Sequence, residues 1–296
     1  LFLLVTHLDK ARFRPVVVFV NENAYVERLR AHGVTVEFIH DALYSQTDHS
    51  MTERIFVRIM LLLKRFFPRY TVRWERMIHH STITALRDFM RRKKVDLVHL
   101  NNQSMRDLYG VIAASQMHIP CVSHLRSARV QSIPSSAAYF LNKHAGQFVA
   151  NSQFAKKYWE GLGINSSKIQ VVYNAIDNMP ITPLNVRAQW GIEPEVKYVV
   201  GCVGNLAEGK GQEFLIRAFR KALEQKPPAV LLIVGDGPAR PHLEQLAQTL
   251  GIAHAVIFTG YDTRAKEIIA GLDLLVLPSQ TETFGRTLLE AMSVGT

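Results

Sequence analysis

Cysteine is nearly absent: Cys121 and Cys202 are the only two in 296 residues. Two distant thiols cannot make a disulfide framework, and both sit in apolar strand-like runs (CVSHL and GCVGN), which predicts buried thiols in a reducing compartment. No stretch reaches 18 apolar residues, because charge or proline interrupts the longest candidates, so no membrane-spanning helix is expected. The chain has neither an initiator Met nor a signal-like start. It opens on LFLLVTHLD, which reads as the end of a helix and predicts a trimmed rather than a processed N-terminus. Sequence repeats, coiled-coil heptads and low-complexity tracts are missing as well, which excludes solenoid and fibrous architectures.

Acidic residues are scarce in one half only. Residues 1–180 hold 24 Lys and Arg against 13 Asp and Glu, whereas residues 181–296 hold 11 against 12. The formal charge of +10 therefore belongs to the first half. Between Arg54 and Lys94 lie 12 basic residues beside Glu75 and Asp88 alone. Such a run is either a solubilising helix face or a surface that meets anionic lipid, an anionic acceptor or nucleic acid. No recognised nucleic-acid module accompanies it, so nucleic acid is not expected as a partner.

A chain of this length, 48% hydrophobic, fits two cores of about 150 residues each. Short apolar runs recur with helical segments between them. Strands are predicted over 15–20, 34–39, 95–100, 120–124, 147–150 and 169–172, and again over 198–203, 229–234, 256–259 and 274–277. The intervening helices include 52–67, a continuous helix over 72–92, 106–117, 211–225, 240–250 and 264–270. Residues 178–196 contain three prolines and little periodicity, which marks a connector. The reading is therefore a first domain over 1–178, a linker over 179–196 and a second domain over 197–296. Both halves show the doubly wound α/β pattern.

The chemical signals gather at strand ends. Residues 271–295, GLDLLVLPSQTETFGRTLLEAMSVG, read as strand, loop and helix, a unit that puts the loop and the helix N-terminus at the carboxyl edge of a parallel sheet. Two carboxylates, Glu282 and Glu290, flank this turn. Eight positions of helix rotate a side chain by about 80° beyond two full turns, so both can serve one site only if Glu282 lies in the loop. Upstream, residues 201–211 (GCVGNLAEGKG) follow a strand and open a helix. Glycines there let backbone approach a phosphate and Lys210 can neutralise it. The spacing matches neither G-x-G-x-x-G nor the phosphate loop ending in GK followed by Ser or Thr. A second turn, Gly235-Asp236-Gly237-Pro238, also follows an apolar strand.

The ordered set GNLAEGKG, VGDGP and LPS…ETFG…LLEAMSVG, with its E-x7-E spacing, resembles family 4 glycosyltransferases, retaining enzymes of the GT-B architecture. RFRPVVVFVN, His124 after a strand, VANSQFAKKYW and VVYNAID resemble the family's acceptor-side domain and its approach to the linker. The resemblance implies two Rossmann-like domains facing a cleft, with the nucleotide-sugar in the second. It implies that Glu282 lies near the donor sugar and Glu290 holds the ribose. Gly204, Asn205, Lys210, Gly235, Gly237, Phe284, Gly285 and Arg286 would surround the nucleotide's phosphates and sugar, and His124 would approach the transferred sugar. Asn205 stands where many relatives carry Arg, and Arg286 is expected to substitute in part. Relatives begin with a further strand and glycine-rich loop and continue past MSVGT, so the resemblance also implies a chain truncated at both ends.

The implied function is retaining transfer of a hexose-type sugar from a UDP- or GDP-linked donor, without an essential bound metal or other cofactor. The basic first half favours a glycan or lipid-linked acceptor in cell-envelope polysaccharide assembly. That places the protein in the cytoplasm, with a peripheral position at an anionic inner membrane surface. Two alternatives stay open at this point: a non-catalytic nucleotide- or glycan-binding subunit that keeps the fold, and a nucleotide-sugar epimerase. Release of an altered sugar nucleotide without any acceptor would identify the epimerase.

Overall fold

The computed structural model describes residues 2–20, 25–39, 51–101, 105, 108–128, 130–176, 180–225 and 228–296, with backbone alone at 51–54, 56 and 57. Contacts divide the chain into two compact units, Leu1–Tyr173 and Asn174–Thr296. The division falls before residue 178, and part of the stretch expected as a connector belongs to the second unit's core, where Val186 and Ile192 are buried.

Ten strands are described. In the first unit β1 (Val16–Phe19) pairs in parallel with β2 (Thr35–Phe38). A separate parallel sheet runs β3 (Val98–Leu100), β4 (Cys121–Leu125), β5 (Gln147–Ala150) and β6 (Ile169–Val171), in that order. Short β-branched and apolar runs separated by helices give this topology, because parallel neighbours need a crossover connection. The core around Leu108, Ile112, Leu125, Leu141, Phe148 and Trp159 joins the sheet to its helices.

The second unit contains β7 (Tyr198–Val203), β8 (Ala229–Val234), β9 (Val256–Gly260) and β10 (Leu274–Leu275), ordered β10-β7-β8-β9 and all parallel. The central β8, AVLLIV, is apolar throughout because both its faces are covered. Leu231 and Ile233 pack with Ile216, Phe219 and Leu243 of the helices Gln212–Glu224 and Arg240–Thr249. Val230, Leu232 and Val234 face the opposite core, with Ile268, Ile269, Leu272 and Ala291. One strand thus serves two helical layers, as a doubly wound sheet requires. Both cysteines are buried and neither is in a disulfide, and burial pushes the Cys202 thiol up to about 12, so it is inert at ordinary pH.

Two elements differ from the sequence reading. The helix expected over 72–92 is two helices, Thr71–Ile78 and His80–Lys93. The break is at His79 (φ −102°, ψ 26°), whose ring packs on Tyr109 and meets Glu75. The strand expected over 274–277 shortens to Leu274–Leu275. Val276 still donates to Gly201 O, but Pro278 has no N–H to continue a ladder. Among the described residues no helix is long and apolar enough to cross a membrane.

Candidate functional site

Three loops meet at the carboxyl edge of the second unit's sheet, where β7, β8 and β10 end. Their contact is mostly backbone. Gly204 N donates to Val234 O at 2.9 Å, Leu206 N to Asp236 O at 2.9 Å and Ala239 N to Leu206 O at 3.0 Å, which ties the first loop to the second. Gln280 N donates to Gly209 O at 3.2 Å, which ties it to the third. The glycines make this closeness possible. A Cβ on Gly235 (φ +136°) would lie 2.0 Å from Gly204 O, and one on Gly237 (φ +155°) would lie 2.3 Å from Leu206 O. These positions exclude any side chain.

Two helices start from these loops, Gln212–Glu224 after Gly211 and Arg286–Val294 after Gly285. Both N-cap glycines are left-handed and neither supplies a side-chain cap. First-turn N–H groups have no acceptor within their own helix, so each start favours an anion. Phe284 stands next to the second start, immediately before Gly285. Asn205 is fixed through its carbonyl, which accepts from Gln212 Nε2 at 3.1 Å. The buried Gln212 was not singled out from the sequence. A polar residue at the first helical position after KG was its one available signal.

The side chains singled out from the sequence come together in pairs. Lys210 Nζ donates to Glu282 Oε1 at 2.6 Å, across 72 positions of sequence. Glu282 does lie in the loop, as its placement with Glu290 required. Arg286 Nη2 donates to Glu290 Oε1 at 3.0 Å along the helix. Glu290 is mostly covered while Arg286 stays 61% exposed. The expected diphosphate cations thus each hold one of the paired carboxylates.

In the first unit His124 is buried in β4 and bonded at both ring nitrogens. Arg126 Nε donates to its Nδ1 at 3.1 Å, and its Nε2 lies 2.6 Å from His99 Nε2. An acceptor Nδ1 leaves the proton on Nε2, which therefore donates to His99. The ring planes are 11° from parallel with centroids 4.8 Å apart. With facing nitrogens so close, the rings meet edge to edge rather than as a face-to-face stack. His99 and Arg126 were missed from the sequence. A histidine in each of two successive apolar strands was the available signal.

Burial first, then Arg126, then His99, lowers the His124 pKa to about 3. His124 is therefore neutral wherever the protein is folded at ordinary pH. An unfolded chain takes up this proton near pH ~6.5, so the stability His124 contributes is complete above that pH and is lost as pH falls toward 3. Denaturant unfolding should show wild type losing more stability between about pH 6.5 and 4.5 than His124→Gln does. Arg126→Met should raise both histidines' pKa values in an NMR titration. An unchanged titration would remove Arg126 as a cause.

The comparisons follow the same division of the chain. The family model described as Glycosyltransferase Family 4 matches residues 24–178, and that described as Glycosyl transferases group 1 matches residues 186–296. The 2-deoxystreptamine glucosyltransferase of Streptomyces kanamyceticus is 26% identical, over 73% of this chain and 62% of its own. The lipopolysaccharide core biosynthesis glycosyltransferase LpsD of Rhizobium meliloti is 30% identical, over 57% of this chain and 47% of its own. The chain spans less than two-thirds of the length of the curated relatives it matches. Among solved structures, Anabaena HepE in complex with UDP-glucose superposes with a TM-score of 0.75 at 22% identity, covering 99% of this chain and 74% of that one. The likeness shows the fold, which is GT-B.

Proposed function

Because the chain belongs to glycosyltransferase family 4, we propose that it transfers a hexose-type sugar, with retention of configuration, from a UDP- or GDP-linked donor to a glycan or lipid-linked acceptor in cell-envelope polysaccharide assembly. The observation that carries this reading is the carboxyl edge of the second unit's sheet, where two helix starts lack side-chain caps, the first of three loops is bonded to each of the other two, and Lys210 stands on that first loop. Departure of a nucleoside diphosphate leaves charge on two phosphates, and preorganised N–H donors with one ammonium suit that task without a metal. Glu290 is read as the partner of the ribose hydroxyls, Glu282 as the carboxylate beside the donor sugar, and His124 as the histidine that approaches the transferred sugar. The HepE complex with UDP-glucose supports a UDP-linked donor, and LpsD supports an envelope glycan. An anionic membrane surface is proposed as a further partner, supported by the exposed arginines and apolar side chains of residues 55–73.

Calorimetry with UDP, GDP and their nucleosides tests the donor site. Lys210→Ala should weaken the diphosphate far more than the nucleoside, whereas an equal loss for both would mean a disturbed loop. Glu290→Gln should cost roughly 1.5–3 kcal/mol of nucleotide affinity, the range for a hydrogen bond to a charged group. Unchanged affinity would remove the ribose role.

A further inference from the structure

Lys210 and Glu282 are drawn from two loops and are each about three-quarters covered, with side-chain exposures of 27% and 28%. Neither could have been aimed at the other by helical spacing. The loop over residues 204–211 contains one cation, Lys210, and one carboxylate, Glu208. Asn205 adds no charge. With Glu282 on Lys210, the edge has no uncommitted ammonium, and the carboxylate adds a negative charge close to where a diphosphate would sit.

We propose that Glu282 competes with the donor's diphosphate for Lys210, so that the intact nucleotide-sugar is held and the spent nucleoside diphosphate is let go. The inference rests on reading the second unit as the nucleotide-sugar site. A full donor offers two exchanges at once: its phosphates take the Lys210 ammonium, and its sugar hydroxyls donate to the carboxylate thereby released. Both ions end with partners, which matters because a part-buried charge left alone is costly. After the sugar has been transferred, the hydroxyls are gone. The carboxylate then regains its affinity for Lys210 and works against the remaining diphosphate. Glu282 thus discriminates donor from product through Lys210, in addition to any contact with the sugar.

The consequence runs against the usual expectation for a binding-site carboxylate. Glu282→Gln should bind UDP about twofold to fivefold more tightly than wild type, the upper range of one partly screened ion pair. UDP-glucose should gain less than UDP, because the variant loses the charged acceptor for the sugar hydroxyls. In a Lys210→Met background the same Glu282→Gln change should alter UDP affinity by less than about twofold, since no ammonium remains to contest. Isothermal titration of the whole chain with UDP, GDP and UDP-glucose measures all three, and circular dichroism confirms that each variant is folded.

An equal or weaker affinity of Glu282→Gln for nucleoside diphosphate would overturn the competition. So would the same gain with Lys210 absent, which would mean simple charge repulsion. Wild type that binds UDP or GDP without this coupling overturns the competition alone. Wild type that binds neither overturns the donor-site reading and the competition with it.

Discussion

Gly235→Ala should destabilise the second unit by about 3 kcal/mol or more and abolish nucleotide binding. Two costs add at this position. The backbone has φ +136°, which L side chains rarely adopt, and the new methyl would lie 2.0 Å from Gly204 O. That oxygen is backbone of the neighbouring loop and cannot swing aside as a side chain would. The loop is also pinned on both sides, because Gly204 N donates to Val234 O and Gly235 N to Gly260 O. Relief must therefore come from parting the first and second loops, which separates the elements proposed to hold the diphosphate. Gly209→Ala is the matched control. Its φ is +78°, yet nothing lies within 4 Å of its added Cβ, so it should cost only the left-handed strain of roughly 1–2 kcal/mol. Urea unfolding of both variants, with UDP titration, separates strain from collision. Equal losses would mean that close loop packing contributes nothing.

Much of this edge was legible as a series of strand ends, and little of it as contacts. The apolar run 229–234 announced a buried parallel strand, and the glycine turn after it was visible too. What the spacing could not convey is that Gly235 and Gly237 are small for the sake of a neighbouring loop. A fingerprint such as G-x-G-x-x-G describes glycines that meet a ligand or their own helix. Here the close approaches are to Gly204 and Leu206, some 30 positions earlier. The Lys210–Glu282 pair was hidden for the same reason, since no local period joins residues 72 apart.

In the first unit the alternation of strand and helix located β3 to β6 within a few residues. Charge counting was less informative, because it could not separate surface cations from internal ones. Lys64 belongs to the basic run in sequence, but it is bound to the buried Glu75, which also meets His79 at 3.3 Å. Those contacts hold Glu75 below the usual carboxylate range even though burial, the largest influence, raises it. Arg54 lies outside the described side chains. The break at His79 was likewise invisible, since the ring there packs on Tyr109, 30 positions on, a contact that no local period announces.

With Lys64 set aside, the surface proposed to meet a membrane has a definite composition, and removing four of its charges should release the protein from anionic vesicles. Ile55, Ile59, Leu62 and Phe66 are exposed along the helix Met51–Phe66, Phe66 by 72%. Their spacing of four, three and four residues puts them on one helical face. Arg58, Arg65, Arg69 and Arg73 are exposed on and beyond the same helix. Each arginine near an anionic bilayer contributes about 1 kcal/mol, so replacing all four with Gln should weaken attachment at least about tenfold after screening, with about a thousandfold as the unscreened limit. Lys64 must stay, because Lys64→Gln would leave Glu75 buried without its ammonium and disturb the helix packing. Phe66→Ser supplies the apolar arm, and should reduce binding while leaving its salt dependence in place. Co-sedimentation with phosphatidylglycerol-containing and pure phosphatidylcholine vesicles, at low and high salt, reads each contribution. Wild-type binding that ignores lipid charge, or a four-arginine variant that sediments as wild type does, would leave these side chains as an ordinary solvated face of the first unit.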